Sequence, residues 1–279
     1  SCSPKRLEGV WLWLAWLPGG LMHANIGACT LFAATSGSSV ATAATVGTVS
    51  IPQIKRYGYN EPLFLGSIAA GGTLGILIPP SINLVIYGVL TNSSVPKLYL
   101  AGIIPGFTLA GLFMLIVIIA CLIKPEWGGH RIRASWGERI ASLKHLLPPI
   151  GIFLMVVGSI YAGLATPTEA AALGVFGALI LAACFGRLTP TMLRDAMEGT
   201  MRSTAMIMLI VVAAAFLNFV MSATGITTAV TQSISGLGFS PGWMLLIVVV
   251  FYVILGCFME TLSMMIVTIP IVAPIMVGL

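Results

Sequence analysis

Three observations predict an all-α, polytopic membrane protein with inverted repeats, two re-entrant helical hairpins and one discontinuous transmembrane helix. Hydrophobic residues make up 58% of the 279-residue chain and charged residues only 8%, against about 25% charged in an average globular domain. The mean hydropathy is +1.06. Two of the apolar runs are broken by charge-free, backbone-rich sequence: Thr35-Ser36-Gly37-Ser38-Ser39 and Gly71-Gly72-Thr73-Leu74-Gly75-Ile76-Leu77-Ile78-Pro79-Pro80-Ser81. Lipid tolerates a broken helix only where the freed backbone groups are buried in protein or line a cavity. Finally, the 13 Lys and Arg residues sort almost entirely to one side of the spans laid out below.

Residues 1–19 carry Trp11, Trp13 and Trp16 with few charges, which suits an interfacial or scaffold-linking helix. No Lys, Arg, Asp or Glu occurs between Gly9 and Ile54. The Ser36–Ser39 break splits this run into halves too short to span, since roughly 20 residues are needed. Residues 20–54 are therefore read as a hairpin that enters and leaves on the same side. A polar loop at 55–61 leads into residues 62–90, a span broken at 71–80. Residues 98–123 form an unbroken span, and together residues 20–123 make a first repeat.

Residues 124–145 are the largest polar loop. Spans at 146–164, 168–185 and 200–222 follow, with a basic loop at 186–202. Loops 55–61, 124–145 and 186–202 then share a side with Lys5 and Arg6. Of the 13 basic residues only Lys97 lies opposite, and the basic side is cytoplasmic. Residues 242–279 repeat the hairpin logic from the other face around Gly256-Cys257-Phe258-Met259-Glu260-Thr261. Aligning Val49-Ser50-Ile51-Pro52 on Val267-Thr268-Ile269-Pro270 also aligns Thr42 with Glu260. Opposite entry sides are what an inverted repeat requires, so residues 146–279 read as the start of a second repeat. Leu279 falls inside an apolar segment, which predicts a fragment of a longer protein.

The breaks carry the chemistry. Pro79 and Pro80 have no N–H for the carbonyls of Gly75 and Ile76, and Gly71, Gly72 and Gly75 permit unusual dihedrals. With the hydroxyls of Thr73 and Ser81 and the Ser36–Ser39 tip, this offers hard oxygen ligands for a sodium ion. Ser38-Ser39 and Pro79-Pro80 also suit helix starts, whose positive dipole ends can receive a carboxylate. Glu260 is the one carboxylate at predicted depth, a position that is functional by default in membranes.

His23 reads as interfacial. Thr166-Pro167-Thr168-Glu169 reads as a capping box that starts a helix at 167. The five cysteines read as small buried hydrophobes. An intramembrane serine hydrolase using a Ser of Ser36–Ser39 with His23 would need them within hydrogen-bond reach, yet roughly 20 Å of helix separates His23 from Ser36. The net charge of +5 reports topology. No basic stretch has the density that nucleic-acid binding needs.

Leu17-Pro18-Gly19-Gly20-Leu21, Ser36-Gly37-Ser38-Ser39-Val40-Ala41, Ile51-Pro52 with Lys55-Arg56-Tyr57-Gly58-Tyr59, and Ile78-Pro79-Pro80-Ser81 with Val85-Ile86-Tyr87-Gly88 resemble the large membrane subunit of TRAP (tripartite ATP-independent periplasmic) transporters. So do Ala101-Gly102-Ile103-Ile104-Pro105-Gly106 and Thr166-Pro167-Thr168-Glu169-Ala170-Ala171-Ala172. The resemblance implies an elevator-type ion-transporter fold in the bacterial cytoplasmic (inner) membrane. It implies no enzymatic activity and no organic cofactor. Instead it implies Na+-coupled uptake of an organic acid delivered by a periplasmic binding protein, with a small membrane subunit as partner.

Carried over residue by residue, it implies sodium binding at Ser36, Gly37, Ser38, Ser39, Gly72, Thr73 and Gly75. Substrate is expected near Ser38, Ser39, Thr42, Pro79, Pro80, Ser81 and Glu260. Many members have Asp where this chain has Thr42, so the site chemistry differs there. The second broken helix is absent from the 279 residues, so they are expected not to transport alone. Thr42-Ala43-Ala44-Thr45 and Gly71-Gly72-Thr73 lean the resemblance toward sialic acid-type sugar acids, with C4-dicarboxylates as the other class. A stand-alone sodium/carboxylate symporter is the alternative reading.

Overall fold

Glycines, serines and prolines set the helix boundaries, each for a chemical reason. The computed structural model describes residues 13–14, 16–129, 136–225 and 240–277, and among these there is no strand. Helix α1 (Gly20–Ser36) starts after Gly19 and stops at Gly37, both left-handed, with φ of +85° and +61°. Ser38 is extended, and its hydroxyl accepts the Ala41 N–H, which starts α2 (Ser39–Tyr57). Gly58, again left-handed, ends α2. Asn60 then caps α3 (Glu61–Thr73) by accepting the Leu63 N–H.

A 3-10 turn at Leu74–Ile76 follows, then a cis Pro79–Pro80 peptide and α4 (Ile82–Thr91). Helix α5 (Val95–Ile123) is long and apolar. Beyond it come α6 (Trp136–Tyr161), α7 (Pro167–Cys184), α8 (Pro190–Ala223), α9 (Pro241–Gly256) and α10 (Thr261–Val277). Among the described residues, α5, α7 and α8 are long and apolar enough to cross a membrane.

The described residues fall into two compact units. One runs up to Val85 and resumes over Ser94–Gly186. In it α1, α2 and α3 pack on one another and α5 packs on α1 and α3. Its core holds Leu21, Met22, Phe64, Leu74, Ile78 and Val117. A second core joins Tyr99 of α5 to Val156 and Ile160 of α6 and Ala170 of α7. The other unit contains Ile86–Ser93 and the chain from Arg187 on. There Ala214, Leu262 and Ile266 pack with Ile86 and Leu90, and the Tyr252 and Thr268 hydroxyls meet at 2.7 Å. Met206, Leu209, Phe216 and Phe219 of α8 lie exposed. So large an apolar surface is tolerable in lipid and a liability in water.

The two ends of the α1–α2 pair meet. The Leu21 N–H donates to the Tyr59 hydroxyl at 3.1 Å. The Asn60 N–H donates to the Trp127 carbonyl at 3.3 Å, and Tyr59 bridges to Gly128. Loops 58–60 and 124–129 therefore share one end of this unit with residues 17–21.

Several expectations need correction. Helix α3 runs through Gly71 and Gly72 to Thr73, and neither these nor Gly75 has a positive φ. The glycines serve close approach and not unusual dihedrals. The break is residues 74–81, so α4 starts two residues after Pro80. The basic stretch at 186–202 is mostly helix, because Thr189 caps α8 and Pro190 opens it. The polar stretch at 124–145 is helical from Trp136. His23 is fully buried, with Nε2 2.8 Å from the Pro18 carbonyl. Cys29 and Cys121 are buried, but Cys184 and Cys257 are exposed. Most of residues 1–19 lie outside the described residues, as does 130–135 of the large polar loop. The Thr166–Glu169 capping box is present in full.

Candidate ion and substrate site

The Gly37-Ser38 turn sits on the break. A Cβ built on Gly75 would lie 3.1 Å from the carbonyl carbon and oxygen of Ser38. One on Gly72 would lie 2.7 Å from the Ala43 Cβ and 3.2 Å from the Ser39 carbonyl oxygen. One on Gly37 would lie 2.8 Å from the Pro80 carbonyl oxygen and 3.5 Å from the Ile82 nitrogen. Gly37 and Gly72, on opposite sides of the contact, thus have no room for a methyl group, and one on Gly75 would press on Ser38. Close backbone approach between helices is the usual reason for small residues in membrane proteins.

Four helix ends meet at this contact. Helices α1 and α3 end here, at Ser36 and Thr73, and α2 and α4 begin here, at Ser39 and Ile82. Helix C-termini present carbonyls and a partial negative charge, whereas N-termini present N–H groups and a partial positive one. The patch therefore holds complementary fields for a cation and an anion. It contains no Lys, Arg, Asp or Glu. Among the described residues no three His, Cys, Asp or Glu side chains cluster, so oxygen ligation of a hard cation is the metal chemistry the residues offer.

The sequence-predicted residues divide clearly. Ser36, Gly37, Ser38, Ser39, Gly72 and Gly75 are brought together. Thr73 follows Gly72, but its exposed side chain turns back to donate to the Ala70 carbonyl at 2.7 Å. Thr42 is fully buried. Its hydroxyl donates to the Ser38 carbonyl at 2.6 Å and meets the Ser36 hydroxyl at 2.8 Å. It ties the turn from inside.

Pro80 abuts the tip. The Ser81 hydroxyl donates to the Ile76 carbonyl at 2.6 Å, so that carbonyl is already engaged, contrary to expectation. Glu260 belongs to the other unit, where its Oε2 accepts the N–H groups of Leu262 and Ser263 at 2.9 and 3.2 Å and caps α10. His23 is held by Pro18 and Ser36 by Thr42, which removes the nucleophile–base pair a hydrolase requires.

Sequence reasoning missed Ala43, whose methyl meets Gly72. It also missed the buried Asn25–Ser67 pair, in which the Asn25 Nδ2 donates to the Ser67 hydroxyl at 3.2 Å. Gly71 and Gly75 form a small-xxx-small pair, and that spacing marks the close face.

The family model of the tripartite ATP-independent periplasmic transporter, DctM component, matches residues 10–279. The chain belongs to that family. A C4-dicarboxylate TRAP transporter large permease protein DctM of Pseudomonas aeruginosa is 36% identical over 92% of the chain and 60% of its own length. An isethionate TRAP transporter permease protein DctMQ of Oleidesulfovibrio alaskensis is 35% identical over 93% of the chain and 41% of its own length. An ectoine/5-hydroxyectoine TRAP transporter large permease protein UehC of Ruegeria pomeroyi is 31% identical over 97% of the chain and 63% of its own length. The chain thus spans less than two thirds of the length of these relatives. All three are named as permeases.

Proposed function

We propose that the TRAP permease to which this chain belongs couples inward movement of Na+ to uptake of an organic acid anion. A periplasmic binding protein hands over the substrate, and a small membrane subunit, separate or fused, supports the permease in the bilayer. The observation that carries this reading is the meeting of two helix C-termini and two helix N-termini at the Gly37–Ser38 turn. Discontinuous helices in transporters use these two kinds of end for cations and for anionic substrate groups respectively.

Sodium lies against Ser36, Gly37, Ser38, Ser39, Gly72, Thr73 and Gly75, drawing on carbonyls and hydroxyls. The substrate's acidic group faces the N-termini of α2 and α4 near Ser38, Ser39, Pro80 and Ser81. Thr42 and Glu260 serve as structural ties. Residues 20–54 form the re-entrant hairpin, and their unit moves as the carrier of an elevator. The relatives are named for a dicarboxylate, a sulfonate and a zwitterionic carboxylate. An acidic oxygen group is their shared chemistry, and a C4-dicarboxylate is the first substrate class to test.

The test is uptake by the full-length permease with its small subunit in proteoliposomes under an inward sodium gradient. Labelled succinate and sialic acid are compared with and without the cognate binding protein. Accumulation only with both sodium and binding protein supports the proposal and names the substrate class. Sodium-driven accumulation of free substrate alone identifies a stand-alone symporter. Sodium-independent equilibration refutes the coupling.

A further inference from the structure

The Ala101–Gly106 motif lies outside both the turn and the break, and the reading above leaves it without a role. Tyr99, Gly102 and Gly106 fall on one face of α5, three and four residues apart. A Cβ on Gly102 would lie 2.6 Å from the Leu77 carbonyl oxygen, and one on Gly106 would lie 2.8 Å from the Ile78 Cγ1. Tyr99 is buried and packs on Leu84 and Val85, just past the break, with its phenol beside the Ser81 backbone. A Cβ on Gly111, on the same helix, meets nothing within 4 Å. Gly102 and Gly106, where α5 faces the break, thus have no room for a methyl group, whereas Gly111 does.

The break needs such support. Pro79 and Pro80 have no N–H, so this stretch cannot be fixed by a helical hydrogen-bond ladder. Packing has to set its depth. The hairpin turn presses on it at Gly75 and Pro80, while α5 presses on it at Leu77, Ile78 and Ser81. Leu77 directs its carbonyl at α5.

We propose that Tyr99, Gly102 and Gly106 are positioning residues of the coupling-ion site. They form a second wall that fixes how far the break at 74–81 stands from the Ser36–Ser39 turn. The proposal rests on the reading of that contact as a sodium site. A methyl on Gly102 would push Leu77 by about 1 Å toward an ordinary contact distance. A misplacement of that size can cost on the order of 100-fold in a preorganised site.

The test is thermal melting of the full-length permease with its small subunit, titrated with NaCl at constant total NaCl plus KCl. Sodium that binds the native state raises the melting temperature, so half-saturation is read without transport. Four variants are compared: Gly102→Ala, Gly111→Ala, Gly75→Ala and Tyr99→Phe. We expect Gly102→Ala to melt cooperatively in potassium and to need at least tenfold more sodium, with Gly111→Ala unchanged. Wild-type half-saturation in Gly102→Ala together with a loss in Gly75→Ala overturns the second wall and keeps the sodium site. An unchanged sodium response in both overturns the site and the wall together. Should Gly102→Ala fail to fold, Tyr99→Phe decides: a raised half-saturation supports the wall, and a wild-type value overturns it.

Discussion

Gly72→Ala isolates the contact between α3 and the hairpin. The new Cβ would lie 2.7 Å from the Ala43 Cβ, whereas carbon atoms rest at about 3.5–4.0 Å. The two helices must therefore separate by about 1 Å. Neither atom can rotate away, because both are fixed to helical backbone. Overpacking of this kind costs about 1–3 kcal/mol. Under the proposed sodium reading, the turn can withdraw and relieve the overlap without the ion and must close on the break with it bound. The cost then falls on the bound state and raises sodium half-activation by roughly 5- to 150-fold.

Gly66→Ala on the same helix is the control. Its Cβ would meet nothing within 4 Å, and alanine in a helix is favoured over glycine by about 0.5–1 kcal/mol. The assay is succinate uptake against sodium concentration in proteoliposomes of the full-length permease, its small subunit and the binding protein. A Gly72→Ala protein that inserts normally and shows wild-type sodium half-activation refutes the reasoning.

Thr42→Val keeps the shape and deletes the hydroxyl that ties Ser36 to Ser38. It is expected to cost about 1–3 kcal/mol in thermal stability, because buried partners are left unpaired, and to weaken sodium activation in the same uptake assay. Tyr59→Phe removes the acceptor for the buried Leu21 N–H and is expected to lower stability by about 1–3 kcal/mol with sodium half-activation unchanged, read by melting and by uptake. Burial pushes the Tyr59 phenol above its ordinary range, with the Leu21 N–H working the other way. The unfolded chain therefore loses that proton first, and stability falls as pH rises past about 10; melting at pH 9 and pH 11 should show a drop that Tyr59→Phe lacks. Glu260→Ala removes the cap on α10 and is expected to cost about 0.5–2 kcal/mol in a melt, while sodium activation at the Ser36–Ser39 turn persists.

Local chemistry made most helix ends readable. Ser38 as a cap, Thr166 with Glu169, and the break before Ile82 all follow from side chains that reach their own backbone neighbours. The stretch at 186–202 was legible too, in Thr189-Pro190, but its arginines suggest a loop to a reading based on charge. What the sequence hides is the reason for each glycine. Gly71 and Gly72 stay helical against their own propensity, because Cys29 and Ala43 come so close that any side chain would clash. A single chain cannot distinguish a glycine that bends from one that admits a neighbour, since the neighbour is set by tertiary packing. The same holds for Gly102 and for His23, whose burial depends on the Pro18 carbonyl next to it in space.

The charge-free walls of the turn and break have an electrical consequence. A compartment lined only by dipoles has no charge of its own, so its contents set its net charge. Holding a lone cation or a lone carboxylate, it would carry an uncompensated charge into a medium where such charges are expensive. Empty, or filled with balancing ions, it is neutral. Under the proposed coupling, partial loading is what stalls passage, and the tie between ion and solute follows from solvation without any latch. A dicarboxylate would call for at least two cations by the same reasoning.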